Sequence, residues 1–250
     1  MQNQDILRYE RQIILPFIGE EGQKKLGEAK VLVVGCGGLG CHLANYLVRA
    51  GIGKVRIVDK DRVSLQDLQR QILYDEEDVK SLFFKAKIAS EKLKKVNSTV
   101  RVEAFVLEVK PENIEELLKD IDLVLDGTDN IKTRLLINEA CIKYNIPWVH
   151  GAVQGAVGMS MTIIPGKTAC YRCLVEENPQ EPEKPIPILN TIPALVASIQ
   201  VTEAFKIITK SPDVNRDLVY IDLWESIFRK IKIKRRKDCP VCEKKIFNFI

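Results

Sequence analysis

Histidine is nearly absent. The 250 residues contain two, His42 and His150, so chemistry that needs several histidines is excluded. No apolar run approaches the ~20 residues that a membrane-crossing helix requires. The first residues, Met1 to Arg8, are polar and lack the apolar core of a signal peptide, so a cytoplasmic location is expected. Strong charge of either sign is missing too. With 38 basic against 34 acidic residues the net charge is +4, too mild to argue for a nucleic-acid partner. There is no internal repeat, no low-complexity tract and no convincing linker, so the chain reads as one domain over residues 1–250. Within it, a nucleotide-binding half covers about 1–150, and a partner-binding and metal half covers about 151–250.

Seven cysteines, an odd number, without a secretory signal argue against a disulfide framework. The composition, 46% hydrophobic and 29% charged, is that of an ordinary globular protein. Its basic residues bunch in the segment Phe228 to Lys237. That segment fits either the wet face of a last strand or a docking surface for an acidic partner.

The first half alternates strand and helix signals, which predicts an α/β fold with a mostly parallel sheet. Val31 to Val34 and Lys54 to Val58 read as buried strands, and 41–50 and 85–96 as helices, the latter stopped by Asn97. Val100 to Val109 predicts a strand and Pro111 opens a helix. Leu123 to Leu125 is a further strand ending at Asp126, followed by a helix over 130–144 and a strand from Pro147 to Val153. The second half predicts strands at Met159 to Ile164, Leu218 to Leu223 and Ile227 to Lys234, with a long helix from Thr191 to Thr209. The stretch from Glu176 to Pro193 carries Pro179, Pro182, Pro185, Pro187 and Pro193. It is expected to cross the surface as an irregular loop.

Five segments carry chemistry. Gly35-Cys-Gly-Gly-Leu-Gly40 follows a strand and opens a helix, where glycines let backbone amides approach phosphate oxygens. Asp59 ends the next strand and is placed to accept from ribose hydroxyls. Alone, this pair fits NAD or FAD as well as ATP, or a tight strand–helix turn. Asp67-Leu-Gln-Arg-Gln71 contains Arg70, suited to polyphosphate or simply a surface arginine. Asp126-Gly-Thr-Asp-Asn130 ends a strand where ligands bind open α/β sheets. Asp129 there suits magnesium, while a helix cap by Asp129 or Asn130 is the plainer reading. Arg8-Tyr-Glu-Arg-Gln12 is an amphipathic N-terminal segment. Cys170-x-x-Cys173 and Cys239-x-x-Cys242 together signal a zinc site stapling two distant segments, with redox pairs or buried thiols as the alternative. His150 reads as a packed or hydrogen-bonded histidine, Trp148 as core, and Cys36, Cys41 and Cys141 as small buried residues.

Taken in order over Arg8 to Cys242, these segments resemble the ThiF/MoeB/HesA family of ubiquitin-activating-enzyme-like adenylyltransferases, nearest its sulfur-carrier branch. The resemblance implies a Rossmann-like, mostly parallel sheet extended by antiparallel C-terminal strands, with helices on both faces. It implies ATP and Mg2+ as reactants, a structural Zn2+, a homodimer, and a small ubiquitin-like partner ending in Gly-Gly whose C-terminal carboxylate is adenylated. Asp129, Arg70, Lys85 and Arg11 would act on the triphosphate, Arg11 reaching a neighbouring subunit and Asp129 holding magnesium. Gly35, Gly37, Gly38, Gly40, Asp59, Asp61, Asp67, Gln71 and Asn130 would surround the nucleotide, and Cys170, Cys173, Cys239 and Cys242 would hold zinc.

A carboxylate nucleophile is already ionised at neutral pH, so it needs no general base and the scarcity of histidine fits. Three departures stand out. Asp67 occupies a position where the family usually has asparagine. The segment Lys80 to Phe84 is about two residues longer than usual, which leaves Lys87 as an alternative to Lys85. Residues 174–193 contain no cysteine, so no thioester or persulfide is expected from that loop. Alternatives from other classes are a relative that adenylates a modified tRNA base, a non-catalytic subunit of a heterodimer, and an NAD-dependent oxidoreductase.

Overall fold

The computed structural model describes residues 3–175, 179–181, 183 and 185–250. Glu176 and Pro182 of the proline-rich crossing therefore lie outside the described residues. Eight strands form one sheet in the order β3-β2-β1-β4-β5-β6-β7-β8. They are β1 (Lys30–Val34), β2 (Lys54–Val58), β3 (Arg101–Phe105), β4 (Leu123–Asp126), β5 (Trp148–Gln154), β6 (Val157–Ile163), β7 (Leu218–Asp222) and β8 (Ile227–Ile231). The first five run parallel, and β6 to β8 continue the sheet antiparallel. The expected parallel sheet with an antiparallel extension is therefore the observed fold.

The helices are α1 (Asn3–Ile13), α2 (Gly19–Glu28), α3 (Gly38–Ala50), α4 (Glu76–Ser81), α5 (Lys85–Val96), α6 (Pro111–Leu118), α7 (Ile131–Lys143), α8 (Tyr171–Leu174) and α9 (Ile192–Thr209). One core lies between the sheet and α2, α3, α5 and α9, the other between the sheet and α6, α7 and the cysteine-bearing segments. Both faces of the parallel strands are covered, which explains their unbroken Val, Ile and Leu runs. Gly51, at φ 81°, ends α3 in the left-handed conformation that favours glycine. Asn97 ends α5 as its spacing predicts, and its Nδ2 ties Tyr9 Oη of α1 to the Val48 carbonyl at 2.8 and 2.9 Å.

Several expectations need correction. β3 stops at Phe105 rather than Val109. β8 stops at Ile231 rather than Lys234, because the chain leaves the sheet there and Ile233 packs into the second core. The N-terminal segment is a helix docked by Tyr9, and α2 was not foreseen because three glycines interrupt its pattern. Of these only Gly22 permits a close approach, a Cβ there standing 3.3 Å from Ile18 and 3.4 Å from Thr209. Finally, α9 is 18 residues long with mean hydropathy 1.3, enough by length and composition to cross a membrane. That corrects the reading that no apolar run comes close, although in this fold α9 lies along α3 and covers β5 and β6.

Candidate functional site

The strand order reverses between β1 and β4, and the loops that follow these strands meet at their carboxyl ends. Ligands bind open α/β sheets at such a crevice. The two loops touch through glycine. Gly35 has φ 86°, and a Cβ there would stand 2.7 Å from the Gly127 carbonyl oxygen. A Cβ on Gly40 would stand 1.9 Å from the Gly35 carbonyl oxygen. Gly35, Gly40 and Gly127 thus let β1, β4 and the N-terminus of α3 pack backbone to backbone. Gly37 differs, since a Cβ there would meet nothing closer than Gln71 Nε2 at 3.8 Å. Its surface is open, as a phosphate cradle requires. Gly38 faces the aliphatic stem of Arg70.

Asp59 closes one wall. Its Oδ2 accepts from the Cys36 amide and its Oδ1 from the Asp61 amide, both at 2.7 Å. Burial pushes its carboxyl up, against those two amides. The Asp61 carbonyl accepts from the Lys85 amide at 2.8 Å, so Asp61 anchors the start of α5 through its backbone. Lys85 points inward to Asp67, with Nζ 3.2 Å from Oδ2, while Lys87 is exposed. Residues two apart on a helix are about 200° apart around its axis, so only one of them faces in.

Asp67 gathers donors from every side. Its Oδ2 accepts from the Ser64 amide at 3.0 Å and Ser64 Oγ at 2.8 Å. Its Oδ1 accepts from Gln71 Nε2 at 2.7 Å and lies 3.5 Å from Arg70 Nη2. Burial alone would push the carboxyl up, but the Ser64 hydrogen bonds and the Lys85 charge outweigh it and hold it below the ordinary range. Two carboxylate oxygens offer about four lone-pair sites. With Lys85 included, five donors compete for them, so Asp67 turns its charge toward protein cations. Gln71 Nε2 is the protein atom nearest the open face at Gly37, and the buried Gln71 Oε1 has no hydrogen-bond partner among the described residues.

Across the crevice, Asn130 caps α7 by accepting from the Thr133 amide at 2.9 Å. Asp129 is exposed and lines a cavity of about 340 Å³ with Thr128, Met159 and Ile188 among its walls. The plainer cap reading therefore describes Asn130, and Asp129 faces the cavity. Beneath lies a network that sequence reasoning missed. Asp126, fully buried, accepts from the Thr128 amide and hydroxyl at 2.9 and 2.7 Å and from Arg134 Nε at 3.2 Å. His150 Nδ1 hydrogen-bonds at 2.7 Å to Oδ2, the same oxygen that accepts from Arg134, while the Thr128 donors share Oδ1. Arg134 Nη2 also donates to the Thr128 carbonyl at 2.6 Å, so one guanidinium fixes both ends of the turn that presents Asp129. A carboxylate ending a wholly apolar strand was the available signal, since a buried charge demands a partner. His150 is packed and hydrogen-bonded, as read, with its ring 4.8 Å from that of Tyr171.

The crossing segment also contributes. The Gly155 amide donates to the Pro187 carbonyl at 2.6 Å, and the Leu189 amide to the Gly155 carbonyl at 2.9 Å. Glu181 accepts from the Ile131 and Lys132 amides at 2.9 and 2.8 Å, at the N-terminus of α7. Arg11 is exposed on α1 and is not brought to the crevice within one chain.

The four paired cysteines converge behind the sheet. Their sulfurs lie within 4.8 Å of one another, with Cys170–Cys239 at 3.7 Å and Cys173–Cys242 at 3.6 Å. A tetrahedron with Zn–S bonds of about 2.3 Å has edges of about 3.8 Å, so the donor set fits zinc. Tyr171 sits within the first pair, and its amide donates to Asn138 Oδ1 of α7 at 2.9 Å.

A model of the ThiF family matches residues 9–241. This chain belongs to the ThiF family. Among its relatives, the sulfur carrier protein ThiS adenylyltransferase of Bacillus subtilis is 40% identical over 247 residues, spanning 97% of this chain and 73% of that one. The sulfur carrier protein adenylyltransferase of Thermus thermophilus is 40% identical over 252 residues, spanning 96% and 91%. A crystal structure of E. coli MccB with ATP superposes with a TM-score of 0.83 at 25% identity, covering 94% of this chain and 74% of that one. These names place the ThiF-type crevice among adenylyltransferases.

Proposed function

We propose that this single adenylation domain transfers AMP from ATP to the C-terminal carboxylate of a small ubiquitin-like sulfur-carrier protein, releasing pyrophosphate. A carboxylate oxygen of the partner attacks the α-phosphorus. The bond from that phosphorus to the bridging oxygen breaks, and the electron pair leaves with pyrophosphate. No proton moves and no general base is required. An anion must approach an anion, so the protein's task is to place positive charge.

The observation that carries this reading is the crevice itself. On its β1 side, an open glycine face adjoins Gln71 and Arg70, with Lys85 behind them on Asp67. On its β4 side, Asp129 is held out into a cavity. The residues fit ATP, with Gly37 and Gly38 at the phosphates, Asp59 and Asp61 at the ribose end, and Gln71 packed behind the glycines. Asp129 would hold magnesium, which neutralises phosphate charge when bound, and Asn130 keeps the turn that presents it. The cavity walls include the apolar side chains of Val153, Val157, Ile186 and Ile188, suited to the extended tail of a Gly-Gly-ending partner. Zinc, on the four cysteines, would staple the C-terminal segment to α8 without entering the reaction.

Two departures that favoured a non-catalytic subunit have a structural account. Asp67 is matched by cations, and the longer Lys80 to Phe84 segment still delivers Lys85 to the crevice side of α5. A homodimer is part of this reading. Leu7 and Phe17, 75% and 71% exposed, flank Arg11 and suit a subunit contact that would carry it to a neighbour's triphosphate. The reading also includes a cytoplasmic setting and a carboxyl-adenylate passed on without a thioester from residues 174–193.

Magnesium-dependent exchange of pyrophosphate into ATP tests the proposal, with and without Gly-Gly-ending proteins from the same organism. Exchange that requires such a partner and disappears in Asp129→Ala is expected. Nucleotide binding without exchange, for every candidate partner, would count against it.

A further inference from the structure

Asp67 is unusual for a residue beside an anion site. It is 5% exposed and ion-paired to Lys85, itself 7% exposed. Its capping of the short turn Leu65–Asp67 does not explain the charge, because a neutral oxygen would accept from Ser64 equally well. What only a carboxylate does here is balance Lys85 and Arg70. Those two bring two positive charges to this side of the crevice, and Asp67 leaves the group of three with a net charge of one.

We propose that Asp67 is a positioning residue that preassembles Lys85 and Arg70 for the triphosphate and, by removing one unit of positive charge, keeps the crevice from retaining pyrophosphate. The inference rests on the adenylation reading above. Before nucleotide arrives, the ion pair holds Lys85 in one place, so less side-chain freedom remains to be lost on binding. After the α-phosphorus bond breaks, pyrophosphate is the most densely charged species in the crevice. A one-charge change in the wall therefore weighs more on pyrophosphate than on the adenylate, which keeps a single phosphate.

The substitution Asp67→Asn removes the charge and keeps the shape. The remaining amide oxygen faces the Ser64 donors. Rotation of the Gln71 amide offers its unpartnered Oε1 to the new NH2 group. Calorimetric titration with magnesium pyrophosphate and with magnesium ATP, at two salt concentrations, reads the effect. Pyrophosphate is expected to bind the variant about tenfold more tightly than wild type, a change of about 1.4 kcal/mol. The gain should shrink at high salt. Turnover should fall together with the KM for ATP, whereas a merely structural lesion would weaken binding. Asp67→Glu should restore the weaker pyrophosphate affinity. Should the Asn variant not fold, Asp67→Ser removes the same charge and reads the same quantity. A folded neutral variant with equal or weaker pyrophosphate affinity overturns the role of Asp67 alone. Wild-type protein that binds neither ATP nor pyrophosphate overturns the adenylation reading beneath it.

Discussion

The two ends of this sheet are held together by different chemistry. At the parallel end, the crevice between β1 and β4 depends on missing side chains: Gly35, Gly40 and Gly127 let three backbone segments touch, and buried ion pairs then fix the loops around them. At the antiparallel end, two segments separated by 65 residues meet through four sulfurs, and little regular structure surrounds them. The first end is specified by local geometry, the second by a long-range cross-link. α7 joins them, with Arg134 reaching the Asp129 turn and Asn138, one turn later, reaching the Tyr171 amide.

The largest effect should come from the sulfur end. Removing the metal by chelation, or changing Cys239→Ser, takes away the staple of the C-terminal segment. A loss of roughly 3–5 kcal/mol is expected, because metal-binding energy is folding energy at such sites. Thermal melting with metal analysis reads it, with one zinc per chain at the start. Absence of zinc and an unchanged melt in chelator would make the two ends alike after all.

The glycine end should answer next. Gly40→Ala puts a methyl group 1.9 Å from a carbonyl oxygen, so the β1–α3 turn must open, at a cost of about 3 kcal/mol. Gly37→Ala finds open space and should leave stability within about 0.5 kcal/mol while weakening nucleotide binding. Paired denaturant melts and nucleotide titrations separate the two. Equal destabilisation would mean that the loop does not distinguish packing glycines from cradle glycines.

Acid sharpens the comparison further. Burial pushes the His150 imidazole below its ordinary range. The unfolded chain therefore takes up a proton first, and stability falls as pH drops below about 6.5. For Asp126, burial would push the carboxyl up, but Arg134 and His150 outweigh it and hold it down. Its contribution is present above the unfolded value of about 3.9 and is lost as pH falls through the lower folded value. Denaturant titrations across this range should show two losses; His150→Gln should shrink the upper one to the share of His42, which burial also lowers, and weaken without abolishing the lower one. A single step in the wild-type protein would dissolve the assignment.

The smallest effect belongs to Glu181, whose exposed carboxylate caps α7. Glu181→Gln should cost a few tenths of a kcal/mol, the usual scale of a charge at a helix terminus. Hydrogen exchange at the Ile131 and Lys132 amides should quicken, with the cysteine segments unaffected.

Much of this was legible in the sequence, for identifiable reasons. β2 and α5 appear with the bounds their periodicity predicts, because each buries a regular face. The thiol cluster was legible because cysteine pairs at that spacing have few other uses. α2 was not, because its polar, glycine-interrupted pattern becomes helical only against its neighbours α1 and α9. Lys85 and Lys87 were ambiguous because loop length alone does not set helix phase. Asp126 was in view within its motif, yet its partners Arg134 and His150 come from α7 and β5, and no local pattern announces them.

The sequence by itself determined the family, the sheet's hydrophobic strands and the identity of the groups that meet at the crevice, because these follow from residue type and short-range spacing. Only the tertiary structure decided which lysine turns inward, that Asp67 is surrounded by donors, and that a buried arginine steadies the turn bearing Asp129. Those facts depend on charges brought together out of water from distant parts of the chain, where each must find its partner in space.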